Sequence, residues 1–519
     1  MRKLLMASAA ILGASNGLAF AQTSPAAPSQ GQLAAPYGAG PAANNNNNAW
    51  GVANTPTGSA AAGPLSTVYA PNVNAVPAPG TIVIRLNGRV EVDFGATFTS
   101  ADRGFVAATA SPPGNAGLSG SYKTNPIGIA SYMRLYPGFD GLAANGLRYG
   151  ASVELRENFG AGANTTTTTS ATGAVTTTST AFSPSANTSA QTVFVRRAFT
   201  YLASDKVGLV RLGQTDGVLG LFDNCIFTSQ CWDAGLGNFN GGPLQSMTPQ
   251  AAVAIPFVWL SQAGAEYGNN KIVYLSPQFY GFDFGVQYAP SMGNAFQNSV
   301  AAAGCIQSSA NCISLTSGND PTRWYNQVGL GLRWQQSFGA VDVKAYGFYE
   351  TAGKENLTAG LGVQPLATTP LAARAANRLA YDNLGFYKAG VAVTAFNVTA
   401  AFDYIGGNVN GQLQMKPSGG ANMNAWVTGL TYANGPLILG AEFGLIQSQG
   451  DARLAGISQR REYEIGVGGN YRLAPGVQLV GEYMYMNRYQ GAYNFNTNTV
   501  GATQSAQAQG FLFSTVLTW

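Results

Sequence analysis

From residue 81 onward, apolar and polar residues alternate in segments of about ten residues that are separated by turn residues, a length with which a tilted strand crosses a bilayer. The clearest segment is 81–94, in which Ile82 and Ile84 fall on one face of a strand and Arg89 falls on the other. The pattern predicts sixteen strands, at 81–94, 128–136, 147–158, 193–202, 208–214, 271–276, 281–289, 326–336, 341–350, 384–395, 397–405, 423–432, 436–447, 461–473, 477–487 and 510–519.

The connections between these strands alternate in length. Short connections lie at 203–207, 277–280, 337–340, 433–435 and 474–476, and long ones at 160–191, 215–270, 290–325, 351–383 and 488–509. An even number of strands with this alternation predicts that both chain ends lie on the side of the short turns, which is the periplasmic side in a bacterial barrel. The Thr-rich stretch 164–180 is of low complexity, and a solvated loop is favoured over a structured element.

The segment 510–519 predicts how the sheet ends. Phe511, Phe513 and Trp519 share one apolar face, and Ser514 and Thr518 lie on the other. An edge strand of a soluble sandwich would give the same alternation. The aromatic last residue, however, resembles the end of outer-membrane β-barrel proteins, and pairing of this segment with 81–94 would remove both exposed edges of the sheet. We therefore predict an all-β, transmembrane antiparallel barrel.

Composition and the amino-terminal region agree with export. Residues 1–21 combine a basic start, a short apolar stretch and a small-residue end, and are interpreted as a cleaved signal peptide. Removing these 21 of the 519 residues leaves 498. Only 10% of the residues of the whole chain are charged, whereas about 25% are charged in soluble proteins. Residues 22–80 are low in complexity and predict a flexible tail, and residues 81–519 predict the barrel.

The remaining composition narrows the possible chemistry. The net charge of +4 is small and the basic residues are scattered, so nucleic acid is not expected as a partner. The four cysteines form two local pairs, Cys225 with Cys231 and Cys305 with Cys312, which predict two loop disulfides, although other pairings are possible for four cysteines. A metal site is disfavoured because the chain has no histidine and neither cysteine pair has CxxC spacing. Serine hydrolases commonly rely on a histidine base and no paired motif supports Ser-Lys chemistry, so an enzyme is not expected, and passive diffusion would need no cofactor.

Several stretches resemble the general bacterial porins, the trimeric outer-membrane diffusion channels with sixteen strands. They are LNGR at 86–89, VRRAFTYL at 195–202, GLVRLG at 208–213, NKIVYLSP at 270–277 and GFDFG at 281–285. Two departures are that Gln214 follows Gly213, where many family members carry arginine, and that 215–270 lacks the usual acidic signature. The resemblance implies a homotrimer in outer-membrane lipid and a third long loop, 215–270, folded into the lumen.

The alternation and the resemblance together predict the pore chemistry. Arginine facing lipid is costly, so arginines on the polar faces are expected to point into the lumen. These are Arg85, Arg89, Arg134, Arg148, Arg156, Arg196 and Arg211. The resemblance assigns Arg89, Arg134, Arg196 and Lys271 to the basic side of a constriction. Asp216, Asp223 and Asp233 of the third loop are the candidates for its acidic side. Alternatively, the arginines only solvate the lumen and pair with Glu91, Asp93 and Glu154.

The function that follows from these expectations is passive diffusion of ions and small hydrophilic solutes through the barrel. A porin specific for sugars or anions is the nearest alternative. A structural or adhesive barrel, favoured by the Thr-rich stretch, is a further one. Loss of charge at Arg134 and Arg196 is expected to shift the channel toward cations.

Overall fold

The computed structural model describes residues 79–100, 103–106, 120–123, 125–157, 164–169, 175–180, 193–204, 206–222, 269–291, 324–354, 381–451, 454–474, 476–495 and 499–519. The predicted signal peptide, the tail up to residue 78, the four cysteines, Asp223 and Asp233 lie outside these residues. The two local disulfides therefore stay a prediction.

Sixteen strands form a closed antiparallel barrel, which confirms the predicted fold class and strand count. In chain order the strands are β1 (Thr81–Thr99), β2 (Arg103–Val106), β3 (Gly120–Lys123), β4 (Ile127–Leu142), β5 (Arg148–Glu157), β6 (Asn164–Thr169), β7 (Val175–Thr180), β8 (Val193–Ser204), β9 (Gly208–Gln214), β10 (Asn270–Leu275), β11 (Phe282–Ser291), β12 (Trp324–Phe338), β13 (Val341–Lys354), β14 (Leu384–Ala395), β15 (Val398–Asn408), β16 (Met423–Asn434), β17 (Leu437–Ser448), β18 (Arg460–Ala474), β19 (Val477–Tyr489), β20 (Tyr493–Asn494), β21 (Thr499–Val500) and β22 (Ala506–Thr518). The pairs β2–β3, β6–β7 and β20–β21 are separate two-stranded hairpins, and all other strands belong to the barrel.

Within the described ranges, two short helical elements accompany the strands. The helix α1 (Val218–Phe222) follows β9, and a single 3₁₀ turn (Gly411–Leu413) follows β15. In the part of the chain that the structure describes, no helix has both the length and the apolar character needed to cross a bilayer.

The barrel closes where the sequence predicts. β22 pairs with β1 in a continuous register from Arg89 opposite Thr518 to Thr99 opposite Ala508. Trp519 extends the seam by exchanging two backbone hydrogen bonds of 3.2 Å with Gly88. Because β22 also pairs with β19, no strand of the barrel has an exposed edge.

Side chains alternate across the barrel wall as expected. On β22, for example, Phe511 and Phe513 are about half exposed on the outside, whereas Leu512 and Ser514 are buried on the inside. Aromatic residues at the short turns form an exposed group at one rim, comprising Phe279, Tyr280, Phe338, Phe396 and Trp519. A second series packs across the outer face of β15–β19, formed by Phe402, Trp426, Phe443, Tyr463 and Tyr485. Exposed aromatic residues at a rim are typical of the interface between a membrane and water.

Two local predictions were wrong. The stretch 164–180 contains the paired strands β6 and β7 where a solvated loop was expected, because threonine is β-branched and favours extended backbone even in a repetitive sequence. The second predicted barrel strand ends at residue 136 before Pro137, but β4 continues to Leu142. Pro137 is tolerated because it stays paired with Leu86 of β1, and only the pairing between β4 and β5 is interrupted at this point.

Candidate functional site

The inner wall of the barrel is the candidate site, and its basic residues lie on the strands β1 to β10. Arg89 and Arg134 are directly opposite each other on β1 and β4, and both side chains are buried on the lumen side. Arg89 forms an ion pair of 2.8 Å with Glu91, two residues further along the same face. Arg156 is opposite Arg134 in the β4–β5 register, while the side chains of Arg85, Arg156 and Arg196 lie outside the described part of the structure.

A β-bulge between β5 and β8 gives the consecutive residues Arg196 and Arg197 of β8 different positions in the ladder. Glu154 of β5 pairs with Arg197 and the next residue, Leu155, pairs with Val195, so that Arg196 has no partner in the ladder. Arg197 is buried and contacts two carboxylates, Glu154 at 2.5 Å and Asp216 at 2.7 Å. The sequence analysis missed Arg197, because strict alternation allows only one of two adjacent residues to face the lumen.

The other basic residues of this region have distinct surroundings. The guanidinium group of Arg211 lies 5.1 Å from the ring centre of Phe199, and Asp216 is close enough to act on it electrostatically. Lys271 is buried on the lumen side, whereas Arg148 is half-buried next to a short turn. We name the buried cations Arg89, Arg134, Arg197, Arg211 and Lys271 the basic side of the lumen.

Carboxylates are also present among these cations. Asp216, a predicted acidic-side residue of the third loop, is bound to Arg197. Ser514 donates a hydrogen bond of 2.5 Å to Asp93, and Tyr201 donates one to Asp140. Carboxylates that bind an arginine or accept a hydrogen bond thus partly neutralise the charge of the basic side.

An acidic side of the lumen lies on β17, β18 and β19, whose carboxylates were not among the predicted site residues. Glu442 of β17, Glu464 of β18 and Glu482 of β19 are each about 95% buried and face inward. The inward positions Gly466 and Gly468 of β18 leave space for two of these side chains: a Cβ atom at Gly466 would lie 2.6 Å from Glu442, and one at Gly468 would lie 2.8 Å from Glu482. We name the three glutamates the acidic side.

The closing strand separates the two sides. In the order of the barrel, β22 lies between β1, which carries Arg89, and β19, which carries Glu482. The inward residues of β22 are Ala506, Ala508, Gly510, Leu512, Ser514, Val516 and Thr518, none of which is ionisable. The basic side, whose cations lie among carboxylates, is therefore on one side of an uncharged strip, and the acidic side is on the other.

The beginning of the third loop lies inside the barrel. After β9, residues 215–220 are fully buried, and α1 packs against the inner face of β11, β12 and β13. Val218 and Phe222 occupy the space above inward-facing glycines: a Cβ atom at Gly331 would lie 2.6 Å from Val218 and 2.8 Å from Phe222. Phe222 also stacks 4.8 Å from the guanidinium group of Arg333, which is bound to Asp283 at 2.8 Å.

The loops after β15, β17 and β19 narrow the opposite rim. Their apolar residues Leu413, Leu454 and Phe495 share a buried cluster with the inward-facing Met484 and Met486. Arg460 stacks at 5.1 Å from the rings of both Tyr493 and Phe495, and its Nε donates to Gln490 at 3.1 Å. Only the loop after β19, at 488–509, was among the predicted long connections, and nothing in the sequence of the three loops predicted that they pack inside the barrel.

Within the described residues no group of three or more potential metal ligands comes together. The described side chains of the inner wall form a charged, partly filled lumen.

Comparison with known proteins identifies one matching family model, described as Gram-negative porin, which matches residues 7–491. No curated protein matches the chain by sequence. Among solved structures, the chain is similar to the outer membrane channel DcaP of Acinetobacter baumannii, with 12% identity, a TM-score of 0.45 and coverage of 86% of this chain and 99% of that chain. It is also similar to an anion-selective porin from Comamonas acidovorans, with 16% identity, a TM-score of 0.43 and coverage of 85% and 100%. A third match is OmpT, an outer membrane protein of Vibrio cholerae, with 10% identity, a TM-score of 0.44 and coverage of 86% and 100%.

Proposed function

The chain belongs to the Gram-negative porin family and is an outer-membrane channel, and from this premise we propose that it carries ions and small hydrophilic solutes passively, as a homotrimer. Barrels of sixteen strands are wide enough to enclose an aqueous channel. We further propose that the protein acts as a channel without an enzymatic activity, and that the third loop beyond Phe222 continues along the lumen.

The charge separation on the inner wall is the observation that supports this proposal. The basic side and the acidic side flank the uncharged inner face of β22, so the field between them runs across the lumen rather than along it. A transverse field orients water and dipolar solutes during passage without a deep binding site for one solute. This arrangement favours general diffusion over the sugar-specific or anion-specific alternative.

Ion selectivity in planar bilayers tests the proposal. Replacement of the acidic side by Glu442→Gln, Glu464→Gln and Glu482→Gln is expected to shift the reversal potential toward anions. The matched change on the basic side, Arg134→Gln with Lys271→Gln, is expected to shift it toward cations. Each shift should reach up to about fivefold in permeability ratio, because a unit charge 4 Å from a passing ion changes its energy by about 1 kcal/mol in water.

The same recordings distinguish the alternatives. A specific porin would show conductance that is blocked saturably by one class of solute, whereas general diffusion predicts conductance proportional to salt concentration. A structural or adhesive barrel would give no ion conductance after reconstitution. Unchanged reversal potentials in both sets of variants would overturn the role given to the two sides.

A further inference from the structure

A buried carboxylate outside the basic and acidic sides connects the two ends of the third loop. We propose that Glu350 of β13 is the positioning residue that holds α1 and Asn269 on the inner wall, and that α1 in this position limits the open width of the channel beside β11, β12 and β13. The proposal rests on the channel function proposed above. It concerns the described ends of the loop, which are residues 215–222 after β9 and Asn269 before β10.

Hydrogen bonds lead from Glu350 to each end of the loop. On one arm, Gln287 of β11 donates through Nε2 to Glu350 at 3.1 Å and accepts a hydrogen bond from the backbone N–H of Val218, the first residue of α1. On the other arm, Gln327 of β12 donates through Nε2 to Glu350 at 2.5 Å and accepts one from the Asn269 amide at 3.0 Å. One carboxylate therefore serves as the common acceptor for two amide arms that end on the loop.

The backbone of β12 is adapted to this connection. Gln287 is opposite Gly329, and Gly329 is opposite Glu350, so the Gln287 side chain crosses β12 at a glycine to reach β13. A Cβ atom at Gly329 would lie 2.7 Å from Cγ of Gln287 and block the crossing. Glu350, Gln287, Gln327 and Asn269 are each at least 99% buried, so water does not compete for these hydrogen bonds.

The groups at the ends of the network determine which atom donates and which accepts in each of its hydrogen bonds. A backbone N–H can only donate, so Gln287 must turn its carbonyl oxygen to Val218 and its amide nitrogen to Glu350. Residue 350 must consequently offer an acceptor to Gln287, and the two oxygens of a carboxylate can satisfy both glutamines at once. A neutral side chain of another shape at this position would leave buried amide groups without a partner.

An exchange of charge between residues 287 and 350 tests the network. Gln287→Glu keeps the acceptor for Val218 but places a second carboxylate against Glu350, and should release α1 from the wall. In the double variant Gln287→Glu with Glu350→Gln, the amide introduced at position 350 donates to the carboxylate introduced at position 287 and accepts from Gln327, so every contact is restored. We expect Gln287→Glu to raise the frequency of transient closures about tenfold, since hydrogen bonds to charged groups are worth on the order of 1.4 kcal/mol, and the double variant to return it to the parent value.

Single-channel recording of the full chain gives the readout, together with the heat-resistant folded band in gels as a control for barrel assembly. The control variant Lys344→Gln changes a lumen charge on the same strand, β13, and should leave the closure frequency unchanged. Failure of the double variant to recover, with both proteins folded, would overturn the proposal, as would a parental closure frequency in Gln287→Glu. Absence of conductance in the parent protein would instead refute the channel function itself.

Discussion

Arg196 and Arg197 show how much a single position matters on the lumen wall. The β-bulge brings Arg197 between Glu154 and Asp216, and its side chain is only 1% exposed. We expect Arg197→Gln to lower the stability of the barrel by about 3–5 kcal/mol, because it removes the buried guanidinium group that both carboxylates contact. Denaturant unfolding in detergent, followed by circular dichroism, measures this loss.

The neighbouring residue provides the control for this prediction. Arg196→Gln removes the same charge from the same strand while Arg197 keeps its ion pairs with Glu154 and Asp216, so we expect it to cost much less. Adding Glu154→Gln to Arg197→Gln should recover part of the stability, since one of the two carboxylates that Arg197 contacted is then neutral. Equal losses for the two arginine variants would contradict the assignment.

The sequence predicts the inward direction of Arg89 and Arg134 because a two-residue period and the cost of arginine in lipid leave one solution. It does not predict Arg197, since a bulge adds one residue without any signal in composition. The sequence does not predict the grouping of Glu442, Glu464 and Glu482 either. Each looks like an ordinary polar-face residue on its own strand, and only the order of strands around the closed barrel brings the three together.

Among the elements, α1 depends on small residues of the wall behind it. Gly331 lies on the inner face of β12, directly beneath Val218 and Phe222. We expect Gly331→Leu to push α1 away from the wall, to cost about 1–3 kcal/mol through overpacking and to reduce the open-channel conductance. Conductance and unfolding of the same preparation measure both effects.

Gly347 of the neighbouring strand β13 is the matched control for this change. It is exposed on the outer face, and a Cβ atom there has no other heavy atom within 4 Å. Gly347→Leu should therefore leave conductance and stability close to those of the parent. An equal fall in conductance for both variants would show that the effect does not come from α1.

The strands themselves were predictable because lipid on one side and water on the other impose alternation along their whole length. All sixteen appear in the structure at the predicted places. The helix α1, the hairpin β6–β7 and the packed loops after β15, β17 and β19 were not predicted. Their positions depend on which strands lie beside them in the closed barrel, and local sequence does not contain this information.

At the scale of the whole molecule, closure determines how the charges are arranged. The β1–β22 register places Arg89 opposite Thr518, and the β19–β22 register then fixes Glu482 opposite Leu512. A slip of one residue at the seam would turn the inner face of β22 outward and disrupt the uncharged strip between the basic and acidic sides. The proposed transverse field thus requires the correct register of β22 with β1 and β19.

The contact between Gly88 and Trp519 holds this seam. The indole ring lies directly over Gly88 on the outer face, where a Cβ atom would overlap it, while the two backbones exchange hydrogen bonds. We expect Gly88→Leu to displace the ring and to destabilise the closed barrel by about 1–3 kcal/mol. The fraction of heat-resistant folded protein after refolding into detergent or lipid measures this change.

A double variant separates the ring contact from a general effect of leucine at this position. Trp519→Ala removes the overlapping ring, so the cost of Gly88→Leu should be smaller in the Trp519→Ala background than in the parent. If the two costs are instead equal, the indole ring does not hold the seam. Non-additivity is expected because a leucine at position 88 and the indole ring would occupy the same space on the lipid face. The register between β1 and β22 would then depend on Gly88, because this glycine leaves room for the ring of Trp519. The arrangement of charge in the lumen would depend on the same contact.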